Sequence, residues 1–280
     1  MTDAPRTEAN EHRSLRVKPS LLLGILIMLG YVAVVFTVWS TTGLHYDTVG
    51  NTVSNVQKGI TLAIGLGSLY LVVVTTALGW WTPALREPRR AGSRWMWSIP
   101  VVLMIGAVVN LAGTKWSRID HVGSYVFWLA LGCVFVGFSE EMVTRGLLIV
   151  GARGNLHEKW VWVVSGLCFG LLHVPNAFYG QSAKATAQQV AFAFLVGLTY
   201  YVTRRVSGTL VVTMVLHAIW DFSVFIQEHS VHNLANPPKA VGGSFMFLAI
   251  GIGIVALVKI LKSGDVVEPG GDQLAAFASA

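Results

Sequence analysis

Residues 121–150 read HVGSYVFWLALGCVFVGFSEEMVTRGLLIV. From Val122 to Ser139 no residue is charged, a length close to the roughly 20 apolar residues a helix needs to cross a bilayer. The last third then carries Glu140, Glu141 and Arg145 within an otherwise apolar stretch. A helix that is apolar all round is buried in a large core or in lipid, and this one reads as a membrane span that holds charge inside it.

On either side of this stretch similar runs recur at about 19–40, 59–81, 95–113, 160–180, 187–203, 207–227 and 241–262. With 121–150 they make eight predicted helices, joined by short connections, so the expected fold is an all-α polytopic membrane protein. Residues 1–18 read as a polar cytoplasmic arm, 19–262 as one transmembrane domain, and 263–280 as a polar, disordered tail. The first run is too long for a typical signal-peptide core and lacks a convincing small-residue cleavage site, which makes it an uncleaved first helix.

Composition excludes most alternatives. Of 280 residues, 54% are hydrophobic and only 12% charged, with a mean hydropathy of +0.61. A soluble domain carries roughly 25% charged residues, so this chain could not wet its own surface. Disordered, collagen-like and disulfide-scaffold classes fall with the same figures. Cys133 and Cys168 both lie in apolar runs and read as buried free thiols.

The formal charge of +6 does not mark a nucleic-acid binder, because the basic residues sort by side of the membrane. With the N-terminus inside, fifteen of the Lys and Arg residues fall on the cytoplasmic side and five (Lys58, Lys115, Arg118, Lys184 and Lys239) outside. That bias places both termini in the cytoplasm. Eight of the ten tryptophans lie at or near predicted helix ends, as an interfacial aromatic belt requires.

The ionisable residues left inside hydrocarbon are few: Glu140, Glu141, Arg145, His173, His217 and Asp221. A mid-span charge costs about 2.5–3.5 kcal/mol on insertion scales, so each marks a functional site by default. The plainer alternative is a buried polar network that only locks helices together. Depth favours function, since Glu140 and His217 each lie about 15 Å from the cytoplasmic ends of their predicted spans, with His173 slightly deeper.

Helical spacing then suggests partners. Glu141 and Arg145 are i,i+4 and can form an ion pair; His217 and Asp221 share that spacing, so Asp221 can orient the imidazole or share its ligand. Glu140 points about 100° away from Glu141 and stands without that partner, which suits it to exchange protons. Gly166 and Gly170 form a GxxxG step that admits a close neighbour, and Pro175 is expected to bend the fifth helix beside the site. Asn176 is either a cap for that bend or a substrate contact.

At these residues the chain resembles a known family. Glu140-Glu141-Met142-Val143-Thr144-Arg145 has the form EExxxR, Phe169 to His173 the form FxxxH, and His217 to Asp221 the form HxxxN/D. The ordered set, within about residues 121–227, resembles the CPBP family of CAAX proteases and bacteriocin-processing (Abi) enzymes, which includes the Ras-converting CAAX endoprotease. The resemblance implies intramembrane proteolysis in an all-helical cavity between helices 4, 5 and 7 that opens to the cytoplasm. It implies that Glu140 and His173 activate water, that His217 and Asp221 stabilise the oxyanion, and that Glu141 and Arg145 support the site. The implied partner is a membrane-anchored peptide or protein tail within the lipid bilayer.

One departure stands out: eukaryotic members have Asn where this chain has Asp221, and an ionised Asp cannot donate a hydrogen bond. Two His and two carboxylates could also hold Zn²⁺ through Glu140, His173, His217 and Asp221. There is no HExxH, and the favoured expectation is a metal-free glutamate–water mechanism with no cofactor. Two other functions remain open on sequence alone. One is a proton- or ion-coupled transporter, because membrane carboxylates and histidines also build proton relays. The other is a non-catalytic scaffold or immunity factor.

Overall fold

A computed structural model describes residues 15–88, 90–231 and 237–264, with backbone only at 237–240. Eight helices are long and apolar enough to span a bilayer: α1 (Leu21–Thr42), α2 (Val53–Leu78), α3 (Arg94–Ala112), α4 (Val122–Arg153), α5 (Glu158–Tyr179), α6 (Ala183–Ser207), α7 (Leu210–Ser230) and α8 (Val241–Ser263). No named strand occurs among the described residues, where only an isolated bridge links Arg86 and Thr209. The fold is therefore an all-α, multi-pass membrane protein. Most of the predicted arm and tail lies outside the described residues.

The predicted spans are all present, with ends moved by local capping. The helix α2 starts at Val53 rather than near 59, because the Thr52 side chain accepts a hydrogen bond from the Asn55 amide and lets helix form through a polar turn. Likewise Ser20, Ser182 and Thr209 cap α1, α6 and α7. The lipid face is supplied by exposed apolar side chains such as Leu22, Leu69, Phe127 and Phe247.

Helix α4 lies at the centre. It packs on α7, α2, α1 and α5, while α5 pairs with α6 and α8 with α3. From Glu141 to Arg153 every residue is buried, which explains why this part of the sequence is apolar without a polar face. Close approach of α4 and α7 depends on Gly137. A Cβ there would fall 2.9 Å from the Ala218 Cβ and closer still to the Met214 carbonyl oxygen. That contact sits one turn from Glu141 and brings α7 within reach of it.

Two helices depart from regular geometry beside the polar residues. In α4 a π-helical turn runs over Met142–Leu147, directly after the two glutamates. Such turns leave backbone groups displaced and gather at functional sites. Here Thr144 Oγ1 donates to the Glu140 carbonyl, and Ser165 Oγ donates to the Thr144 carbonyl at 3.0 Å. In α5 regular α-helix stops at Leu171, and Val174–Tyr179 continues as a 3₁₀ turn around Pro175. The expected bend is therefore an unwinding that begins before the proline.

The helix ends define two faces. One, here the near face, carries the segment before α1 and the α2–α3, α4–α5 and α6–α7 connections. It holds a buried charge network that sequence reading treats as ordinary helix-end residues. Glu87 meets Arg153 at 3.0 Å, Arg204 at 2.6 Å and Arg205 at 3.4 Å, while Glu158 meets Arg153 at 2.7 Å and Arg205 at 2.8 Å. Burial alone would push the Glu87 carboxyl up, but the three guanidiniums outweigh it and hold it down at about 2. The network ties the ends of α4, α5 and α6 to the α2–α3 connection.

Candidate active site

Five of the predicted residues (Glu140, His173, Asn176, His217 and Asp221) line one cavity of about 750 Å³. Glu141 and Arg145 lie behind its wall and are fully buried. The cavity is wider than a cleft between α4, α5 and α7. Helix α1 contributes Tyr31 and Trp39, the segment between α1 and α2 contributes Tyr46, and α6 contributes Gln189 and Tyr200. Tyr31 is fixed by a 2.9 Å hydrogen bond with Ser139, the residue before Glu140.

His217 is the most constrained group. Its Nδ1 lies 3.0 Å from Glu141 Oε1, and its Nε2 faces Asp221 Oδ2 at 3.5 Å and Glu140 Oε2 at 3.9 Å. A ring that donates Nδ1–H to Glu141 presents Nε2 to the cavity. The i,i+4 pairing of His217 with Asp221 is present, yet the hydrogen bond that orients the ring comes from Glu141. This link across helices has no local spacing signal, so sequence reading missed it. Glu140 and Asp221 are the accessible carboxylates, with side chains 18% and 25% exposed.

Glu141 is shared. The same Oε1 accepts from Arg145 Nη1 at 2.9 Å, as the spacing predicts. The Arg145 Nε and Nη2 atoms make no hydrogen bond. Their place is taken by aromatic faces: the guanidinium carbon sits 3.8 Å from the centre of the Phe169 ring and 5.7 Å from that of Tyr200. A desolvated guanidinium over a ring gains about 2 kcal/mol, which offsets part of the missing hydrogen bonding.

Phe169 thereby gains a role beyond its spacing from His173. It meets His173 edge-on at 5.5 Å and His217 edge-on at 5.8 Å while carrying Arg145 on its face. One ring thus positions both histidines. Its helix reaches α6 through Gly170, where a Cβ would lie 2.6 Å from the Val190 carbonyl oxygen, so the GxxxG step serves the close approach expected of it. Phe169→Leu is expected to lower kcat roughly tenfold to a hundredfold, because small misplacement of reacting groups is costly. A steady-state assay showing unchanged kcat would remove this role.

His173 sits where α5 unwinds. Its Nδ1 lies 3.1 Å from the Phe169 carbonyl oxygen, so a ring donating there carries its lone pair on Nε2. Farther out, Asn176 donates to Gln189 Oε1 at 3.1 Å and Gln189 donates to the Tyr46 hydroxyl at 2.6 Å. Asn176 is therefore part of a polar wall rather than a cap. Burial pushes the Tyr46 hydroxyl up to about 12; the Gln189 hydrogen bond opposes this, while Asp221 and Glu140 add to it. Tyr46 stays a neutral donor at any ordinary pH. Tyr46 and Tyr200 were not legible as site residues, since neither carries charge or a motif.

Among the described residues no three His, Cys, Asp or Glu side chains converge as metal ligands, whereas zinc takes three or four ligands at about 2.0–2.3 Å. His217 and His173 each have Nδ1 engaged, with Glu141 and with the Phe169 carbonyl, which leaves Nε2 of each as the ring nitrogen that faces a ligand.

Residues 122–223 match the family described as Rce1-like, type II CAAX prenyl endopeptidase Rce1-like. No curated protein and no solved structure matches the chain. The family match supports a place in the CPBP/CAAX-protease family and, in general terms, a CAAX-type intramembrane endopeptidase. It covers α4 to α7, where the cavity's mid-membrane Glu, His and Asp residues among the described residues lie.

Proposed function

We propose that the protein is an intramembrane endopeptidase that hydrolyses a peptide bond of a membrane-anchored peptide or protein tail without a metal. The observation that carries this reading is the convergence of Glu140, His173, His217 and Asp221 on one cavity within eight membrane helices. Hydrolysis needs a base for water, a donor for the oxyanion and a proton for the leaving amine.

In this mechanism water lies between Glu140 and His173. Glu140 removes one proton as the water oxygen attacks the carbonyl carbon, and His173 Nε2 accepts a hydrogen bond from the other. The tetrahedral oxyanion accepts a hydrogen bond from Nε2–H of a doubly protonated His217, whose Nδ1–H is held by Glu141. Glu140 then returns its proton to the leaving nitrogen as the C–N bond breaks and the carbonyl reforms. Glu141 and Phe169 position His217, and Asp221 steadies its outer edge.

Asp221 is the test of detail. Asn can both accept and donate, so Asp221→Asn is expected to keep cleavage within about tenfold of the parent, while Asp221→Ala loses about 10²-fold or more. A purified protein in detergent, offered pooled lipid-anchored and transmembrane peptides, provides the assay by product mass. Cleavage that survives a strong chelator supports the metal-free route. Loss with chelator and recovery with zinc overturns it.

A further inference from the structure

We propose that the cavity opens on the extracytoplasmic face of the membrane, so that the substrate is an extended peptide segment presented from that side. This rests on the protease reading for its chemistry, but its geometry stands apart from it.

The opening is fixed by which lining residues reach the surface. Asp47, Asn51 and Glu228 are exposed and line the same cavity as Glu140. They belong to the α1–α2 connection and the last turn of α7, which lie on the face opposite the near face. Asn176 and Gln189, at the adjoining ends of α5 and α6, continue the wall toward that face. Among the described residues, none from the near-face connections 79–93, 154–157 or 208–209 lines the cavity. The near face is instead closed by the Glu87–Arg153–Glu158–Arg204–Arg205 network.

Charge then assigns the faces. Outside that network the near face still carries Arg16, Lys18, Arg86, Arg90, Arg94 and Lys159, and α8 ends there with Lys259 and Lys262. The opposite face has Lys58, Lys115, Arg118 and Lys184 among residues with described side chains. An excess of Lys and Arg marks the cytoplasmic side. The near face is therefore cytoplasmic and the mouth is not, contrary to the cytoplasmic opening that the resemblance implies.

The depth of the site also defines what enters. His217 lies thirteen residues from the outer end of α7 at Ser230, or about 20 Å along the helix axis. An extended chain covers that distance with about six residues at ~3.3 Å each. A folded domain cannot supply this; a tail or an unstructured juxtamembrane segment can.

The test is cysteine accessibility in intact cells whose plasma membrane carries the protein. Asn51→Cys at the mouth and exposed Arg90→Cys on the near face are made in a chain with Cys133 and Cys168 replaced by Ala. Both are also made with those buried thiols retained, should their replacement impair folding. A membrane-impermeant maleimide is expected to label Asn51→Cys in intact cells and Arg90→Cys only after permeabilisation. The reverse pattern overturns the proposal, and so does labelling of neither site before permeabilisation with both after it. Labelling needs no cleavage. The expected pattern in a protein that cuts nothing would remove the protease reading and leave the orientation standing.

Discussion

Glu140→Gln is expected to reduce peptide cleavage by about 10³-fold, within the range for loss of a positioned general base. The substitution keeps the volume and the hydrogen-bonding edge of the side chain but cannot take a proton from water. Glu140 has no guanidinium partner, and its contact with His217 Nε2 is 3.9 Å, so the melting temperature should stay close to that of the parent. Glu141→Gln supplies the contrast. Glu141 holds Arg145 at 2.9 Å and His217 at 3.0 Å, and its neutralisation leaves a buried guanidinium without its counter-charge. Breaking such a pair costs about 3–5 kcal/mol, so this variant should lose both activity and thermal stability. Matched melting and cleavage measurements on the two variants check the assignment. Equal losses of stability in both would merge roles that the geometry separates.

The second large effect is structural. Glu87→Gln is expected to destabilise the protein by about 3–5 kcal/mol, because it strands buried cations. Among the described residues Arg153 and Arg205 keep Glu158, whereas Arg204 keeps only the Pro83 and Arg86 carbonyls as hydrogen-bond partners. Replacing Arg204 with Met in the same chain should therefore recover part of the loss, since the unpaired charge goes with it. A double-mutant cycle on melting in detergent reads this coupling, and additive losses would show the pair to be independent.

The same network has a pH signature. The Glu87 carboxyl titrates at about 2 rather than its ordinary 4.5, so its stabilisation is complete above the ordinary value. It is lost as pH falls through that value toward 2. Acid melting curves of the parent should thus fall more steeply across this window than those of Glu87→Gln. Parallel curves would remove Glu87 as the cause.

The sequence made the architecture legible because lipid imposes a long, uniform apolar signal on every span. The eight runs needed no tertiary information, and even Gly170 could be read as a close-packing position. The site was legible in part for the same reason: a charge in hydrocarbon is conspicuous, so Glu140, Glu141, Arg145, His173, His217 and Asp221 stood out individually. Their connections did not. The hydrogen bond between Glu141 and His217 joins residues 76 positions apart, and depends on Gly137 admitting α7. The aromatic seat beneath Arg145 draws Phe169 and Tyr200 from two further helices, neither with a charge to betray it.

Position relative to the membrane hid the rest. Arg153, Glu158, Arg204 and Arg205 fall at helix ends and Glu87 in a connection, where charges are ordinarily solvated, and nothing local says that the five share one buried cluster. Tyr46 lies in a short connection and faces the cavity only because α1 and α2 fold it over α6, where Gln189 meets it. The direction in which the cavity opens was likewise invisible, since motifs fix depth along a helix but not which end of the groove is closed.

In the proposed reaction Glu140 activates water for peptide hydrolysis inside the membrane. The most direct measurement compares the parent and Glu140→Gln on the same pooled peptides in heavy-oxygen water, with product masses read over time. The parent is expected to cut a peptide bond and leave one heavy oxygen in the new carboxyl terminus, while the variant forms that product about 10³-fold more slowly. Equal rates of product formation by the two proteins would contradict it.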